Sequence, residues 1–347
     1  MKYSYIILLF AVIVSCKKEK SSEPVKKDIE INIEVSSNSI IMGDSITFKV
    51  IGSLPNTKID YHWILNGAVP NISTSPNPKV KYKTNGTYDV KLIVKYDGKS
   101  DTIIKSNIIK VESTITEGLI AYYPFNGNAK DMTGKGHDGT AQNAALTTDR
   151  FGNENAAFIF NGTNSSILVK DKADLRLSQT DFTINGWVKL DQYHQSHGSS
   201  FLIKRNPGNQ NGWGASITGY ASLNTSVKKL GSAFFNVSGG GDPFAVGNKL
   251  IDLNKWCMVT VVYNLANKSV SLYINGQLDN VTNNIPSPSP TSTADLFIGS
   301  DNISVTNSYQ VKGKIDDIGF YNRMLTVQEI NRIYFNSNTT NTPVFDQ

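Results

Sequence analysis

The residues best equipped for chemistry in this chain are a glycine-rich hexapeptide, a histidine pair and a few carboxylates. Gly134-Lys-Gly-His-Asp-Gly139 spells G-x-G-x-x-G, a pattern that lets backbone approach a pyrophosphate at a helix N-terminus. That use requires a helix directly afterwards, whereas Thr140-Ala-Gln-Asn-Ala-Ala leads into strands, so no dinucleotide site is expected. Ser238-Gly-Gly-Gly-Asp242 lacks the Lys-Ser/Thr of a phosphate loop and reads as a plain loop. His194 and His197 lie in a Gly/Ser-rich loop with no third ligand nearby in sequence. Glycoside hydrolysis by retention needs two carboxylates about 5 Å apart, one with a raised pKa. Beyond residue 116 the only glutamates are Glu117, Glu154 and Glu329, at a linker, a turn and a helix start. Asp316 and Asp317 are adjacent on a strand, which points them to opposite faces. Calcium wants six to eight oxygens. The loop from Asn126 to Gly139 offers Asn126, Asp131 and Asp138, with glycine-rich backbone able to turn carbonyls inward.

These residues must be positioned by strands. The stretch from Gly313 to Tyr334 reads as a strand apolar on both faces, then a capping box Thr326-Val-Gln-Glu329, then a helix with Ile330, Ile333 and Tyr334 on one face. Ordered pieces precede it: Gly118-Leu-Ile-Ala-Tyr-Tyr-Pro-Phe-Asn-Gly127, Asp149-Arg-Phe-Gly-Asn153, Phe182-Thr-Ile-Asn-Gly-Trp-Val188, and Trp256 to Tyr263 followed by Val270 to Gly276. In this order they resemble the laminin-G-like (concanavalin A-like lectin/glucanase) jelly rolls of bacterial surface proteins, over residues 117–336. The resemblance implies that the first and last strands lie together. It also implies one structural calcium between them, with Asp131 and Asp316 as side-chain ligands and the His137 region giving backbone oxygen. The alternative is that Asp131 caps a turn while Asp316 pairs with a base such as Arg323. The Glu-x-Asp-x-x-Glu strand of glucanases with this fold has no counterpart here, so a non-catalytic domain is expected.

Sugar binding uses exposed aromatic rings that stack on pyranose faces, with amide partners. Trp187 and Trp256 fall on strands and read as core. Trp213, Tyr193, Tyr220 and Phe244 lie in or beside loops and form the candidate ligand set.

Ahead of this domain, residues 29–112 carry short alternating strands with turn pairs Asn66-Gly67 and Asp97-Gly98, the pattern of an immunoglobulin-like sandwich. Trp63 and Gly86-Thr-Tyr88 resemble the core tryptophan and the late strand of PKD (polycystic-kidney-disease) domains, although Ile64-Leu-Asn-Gly67 departs from that family's pattern. The expected fold class is therefore all-β, an immunoglobulin-like β-sandwich followed by a concanavalin A-like jelly-roll sandwich. Residues 337–347 read as a disordered tail.

Residues 1–16 have a basic start and an apolar run too short to span a bilayer. Ile13-Val-Ser-Cys16 resembles a lipobox, making Cys16 the lipid attachment site, Cys257 an unpaired thiol and residues 17–28 a flexible tether. Lys17, following the cysteine, favours outer-membrane sorting by analogy. The formal charge of +5 is spread along the chain and gives no case for nucleic acid. Taken together, a lipid-anchored surface protein that binds an extracellular glycan or a surface protein, as in adhesion, is expected, with a glucanase as the rival. Cys16→Ala should abolish metabolic palmitate labelling and membrane retention, and unchanged processing would contradict the lipobox reading.

Overall fold

Short runs of apolar residues, bounded by turn pairs, build strands along most of the described residues. The computed structural model describes residues 30–53, 56–112, 114–195, 198–206, 211–220, 229–238, 243–301 and 309–339. Cys16, the tether and His197 lie outside the described residues, as does the tail beyond Thr339. The chain divides into two compact units, with the boundary after Ser113.

The first unit is an immunoglobulin-like sandwich. One sheet runs in the order Glu30–Val35, Ser45–Ser53, Lys79–Tyr82, Ala68–Val69. The other runs Ser39–Ile41, Lys99–Glu112, Gly86–Tyr96, Asp60–Leu65, Ile72–Ser73. Val90, Leu92, Val94 and Tyr96 alternate inward along one strand, as a half-buried strand requires. Trp63 is wholly buried against Phe48, with ring centroids 5.7 Å apart, and its indole N–H donates to the Ser75 carbonyl at 2.9 Å. Asp97 and Gly98 both take positive φ (45° and 71°), the two-residue turn that follows strand twist. The Tyr88 hydroxyl donates back to the Thr84 carbonyl at 2.9 Å, a tyrosine corner.

The second unit stacks two antiparallel sheets into a jelly-roll sandwich. The last strand, Lys312–Tyr321, is central to one of them. Leu119–Tyr123 and Ala157–Asn161 share one of its edges, and Phe182–Leu190 takes the other. Cys257–Asn264, Ser269–Ile274 and Gln277–Thr282 extend this sheet. The second sheet runs Gly139–Gln142, Ser166–Val169, Leu296–Ile298, Gly198–Arg205, Gly212–Thr218, Ser232–Ser238, Phe244–Leu250. Side chains from the two facing surfaces meet between them, as where Trp213 and Phe320 approach to 6.1 Å.

The sheets differ in what covers their outer faces. The capping box forms as expected: Thr326 N–H donates to the Glu329 carboxylate at 2.8 Å and Glu329 N–H to the Thr326 hydroxyl at 3.2 Å. The helix that follows, Val327–Thr339, runs three residues into the expected tail. It lays Ile330 and Ile333 on Trp187, Met258 and Tyr321 of the first sheet, and Tyr334 stacks on Trp187 at 5.7 Å. Burying each isoleucine contributes about 1.5–3 kcal/mol. On the outer face of the seven-stranded sheet, in contrast, Phe234, Phe244 and Phe297 are only half buried, although Ile203, Ser200 and Asn236 between them are buried.

Candidate ligand-binding face

Strand register brings a row of residues onto that face from positions far apart in sequence. Thr140 pairs with Leu168, Leu168 with Phe297, and Phe297 with Ile203. The row continues from Ile203 to Gly214, Asn236 and Phe244. Directly paired residues share a face, so these seven cross the whole sheet. The next row holds Ser200, Ser216, Phe234 and Val246. Phe234 and Phe244 lie with centroids 5.5 Å apart. Gly214 is needed in the middle, because a Cβ there would lie 2.6 Å from the Ile203 Cδ1 and 2.8 Å from the Asn236 Oδ1. Two neighbouring side chains thus lean over the space that a side chain would fill. Aromatic rings, an amide and hydroxyls on a shallow apolar floor are the groups that hold small polar ligands.

Comparisons with known proteins bear on the same unit. Residues 161–331 match the family model of the concanavalin A-like lectin/glucanases superfamily. They form a concanavalin A-like lectin/glucanase-superfamily domain. Among solved structures, the binding domain of Paraclostridial Mosquitocidal Protein 1 is similar at 17% identity and a TM-score of 0.51, covering 65% of this chain and 54% of that one. Domain 4 of AbnA, a GH43 extracellular arabinanase from Geobacillus stearothermophilus solved with arabinotriose, is 21% identical, with a TM-score of 0.49 over 62% of this chain and 98% of that one. The botulinum neurotoxin serotype D binding domain is 17% identical, with a TM-score of 0.48 over 64% of this chain and 51% of that one. This chain thus spans about half the length of either toxin domain, 54% and 51%. At these identities the likeness is one of fold. No curated protein matches the sequence.

Within the concanavalin A-like domain, two of the four aromatic candidates are corrected. Trp213 is wholly buried and its indole N–H donates to the Leu175 carbonyl at 3.1 Å. Tyr193 is buried as well, its hydroxyl donating to the Ile251 carbonyl at 2.6 Å. Neither can stack on a ligand, because the loop positions suggested by sequence belong to strands or pack under them. Tyr220 is half exposed (50%), and Phe244 stands in the row described above. Phe297, Phe234 and Asn236 were missed. Their runs read as ordinary strand, and only register aligns them.

The carboxylates expected around calcium take protein partners instead. Asp131 is buried, and Thr133, His137 and the Tyr122 amide all donate to it. Its Oδ2 meets His137 Nδ1 at 3.0 Å, and the other ring nitrogen, Nε2, lies 2.9 Å from Asp174. The His137 carbonyl is taken by the Tyr123 hydroxyl at 2.6 Å, and Asn126 is exposed. Asp316 pairs with Arg150 at 2.6 Å rather than with Arg323, which binds Glu329. Asp131, Asp316 and the His137 carbonyl thus face N–H and O–H donors in this arrangement, while Asn126 stands exposed. Among the described residues no group of three His, Cys, Asp or Glu side chains is placed to hold a metal ion.

The expectation that Asp316 and Asp317 point apart also fails. Asn185 pairs with Gly319 and Trp187 with Asp316, so Gly186 is opposed by two residues and the strand bulges. Asp317 takes a φ of 46°, and both carboxylates turn onto Arg150, at 2.6 and 2.5 Å. The guanidinium lies over the rings of Trp187 and Phe151, 4.7 and 4.6 Å from their centroids. Tyr122 donates to Asp317 at 2.7 Å. Burial, and then the charge of Asp317, raise the Asp316 pKa well above the usual carboxylate range.

Two outcomes follow. Arg150→Ala leaves the buried Asp316 carboxylate facing the half-buried Asp317 without a cation and should cost the second unit about 3–5 kcal/mol, read as a lower melting temperature. A loss below about 1 kcal/mol would show that the bridge is not holding the sheet. At His137, burial alone would lower the pKa, but bonds to Asp131 and Asp174 outweigh it and raise it above 6.5. A raised histidine gives its full stability below its unfolded pKa and loses it as pH climbs through the folded value. His137→Gln should therefore lower the melting temperature most at pH 6 and progressively less on the alkaline side. An equal loss at all pH values would contradict the charged clamp.

Proposed function

We propose that this chain is a lipid-anchored, non-catalytic surface protein. Its first sandwich, read as a PKD-type spacer, holds the jelly roll away from an outer membrane, and the jelly roll binds a glycan. The observation that carries this reading is the row of Phe297, Ile203, Gly214, Asn236 and Phe244, which sets two half-buried rings and an amide on one face of the sheet. C–H faces of sugars pack on such rings while their hydroxyls need hydrogen-bond partners of this kind. The non-catalytic part rests on the fate of the carboxylates. Asp316 and Asp317 share Arg150, Asp131 and Asp174 flank His137, and Glu329 is bound by Arg323 and Thr326. A hydrolytic pair needs an acid and a base free to reach one glycosidic bond.

A glycan array probed with the full-length protein should return glycan hits that weaken in Phe244→Ala and Asn236→Ala. The same protein should release no reducing ends from the glycans it binds. An array without hits would sink the binding reading. Turnover lost on replacing an Asp or Glu would reverse the non-catalytic one.

A further inference from the structure

We infer that Asp279 guards the open side of the jelly-roll sandwich: its carboxylate occupies backbone groups through which a second copy of this chain would otherwise add a strand. Among the described residues, Phe244–Leu250 ends the seven-stranded sheet and Gln277–Thr282 ends the other. An end strand offers a row of unused N–H and C=O groups, a template for pairing with another chain. Leu250, Leu278 and Val281 on these two strands are about half exposed, which would make such pairing adhesive.

Both end strands are irregular at the same place. Leu272 pairs with Asn280 and Tyr273 with Leu278, so Asp279 has no residue opposite it. Ser232 pairs with Leu250 and Phe234 with Val246, which leaves Gly247, Asn248 and Lys249 opposite Ala233 alone. A bulge of this kind re-aims a side chain and breaks the ladder on which a further strand would grow. Here the two bulges meet across the gap between the sheets.

The contacts between them fall on backbone. The Asn248 N–H donates to Asp279 Oδ2 at 2.7 Å and the Lys249 N–H to Oδ1 at 2.9 Å. The Asn280 side-chain amide donates to the Val246 carbonyl at 2.7 Å, and that of Asn248 to the Asp279 carbonyl at 3.1 Å. Gly247 makes room for this approach, since a Cβ there would lie 2.3 Å from Asp279 Oδ2. Bonds from amides to a carboxylate are the stronger kind. An incoming strand would have to break two of them and leave the half-buried carboxylate without its donors.

Light scattering of the full chain over a concentration series, with near-ultraviolet circular dichroism to confirm folding, tests the guard. Asp279→Ala should raise the mass from one chain toward two or more as concentration rises, with the folded spectrum kept. Amide exchange at Asn248 and Lys249 should quicken by about tenfold or more. Gly247→Ala, which leaves Asp279 in the sequence but crowds its carboxylate out, should reproduce the association. Adding Leu278→Lys to Asp279→Ala should return the single-chain mass, because a lysine on an end strand opposes pairing without restoring the lost bonds. Folded Asp279→Ala and Gly247→Ala variants that keep the single-chain mass throughout would overturn the inference. So would association that Leu278→Lys leaves unchanged, or a wild-type chain that already pairs through Phe244–Leu250.

Discussion

One guanidinium holds the second unit's central strand in place. Asp316 and Asp317 sit side by side in a buried strand, and Arg150 reaches both from the turn that Asp149 caps through the Phe151 and Asn153 amides. Taking two carboxylates out of water without a cation would cost several kcal/mol for each ion. With a single arginine the trio still carries a negative excess. The raised pKa of Asp316, the Tyr122 hydroxyl on Asp317 and the ring faces of Trp187 and Phe151 all act to relieve it. The bulge at Asp317 follows, since a regular strand would send one of the two carboxylates to the opposite face. What this secures is the strand that pairs with the first strand of the unit, with Ala157–Asn161 and with Phe182–Leu190.

From that anchor the two sheets acquire different roles. The anchored sheet is covered outside by the helix, whose start is fixed by the capping box, and its aromatic residues become a second core. The seven-stranded sheet packs one face into the shared core and keeps aromatic, amide and hydroxyl groups on the other. The His137 clamp fastens the loop after the first strand to the short turn Ala173–Arg176, which in turn supports Trp213 through the Leu175 carbonyl. The wholly buried Trp213 is thereby part of the floor beneath the candidate face rather than part of the face.

What was legible in the sequence was local or followed from pattern. The capping box, the Asp97-Gly98 hairpin, the Trp63 core and the Tyr88 corner each depend on residues a few positions apart or on simple alternation. The pairing of first and last strands followed from the family resemblance. Three features were not legible. A bulge is set by a mismatch between two strands, so nothing in Asp316-Asp317 alone announces that both turn one way. Arg150 lies in the Asp149–Asn153 stretch, yet its partners are 166 and 167 residues away. The row from Thr140 to Phe244 appears only when the registers of seven strands are known. Aromatic residues near loops were a poor guide to it, because turn proximity does not say which face a side chain takes.

The central claim is that ligand recognition occurs on the outer face of the seven-stranded sheet. A crystal structure of the full chain soaked with a glycan that binds in solution tests this most directly. The account predicts sugar density on that face, with a sugar ring against Phe297 or Phe244. Density held instead at the loop around Tyr220, or on the helix side of the molecule, would contradict it.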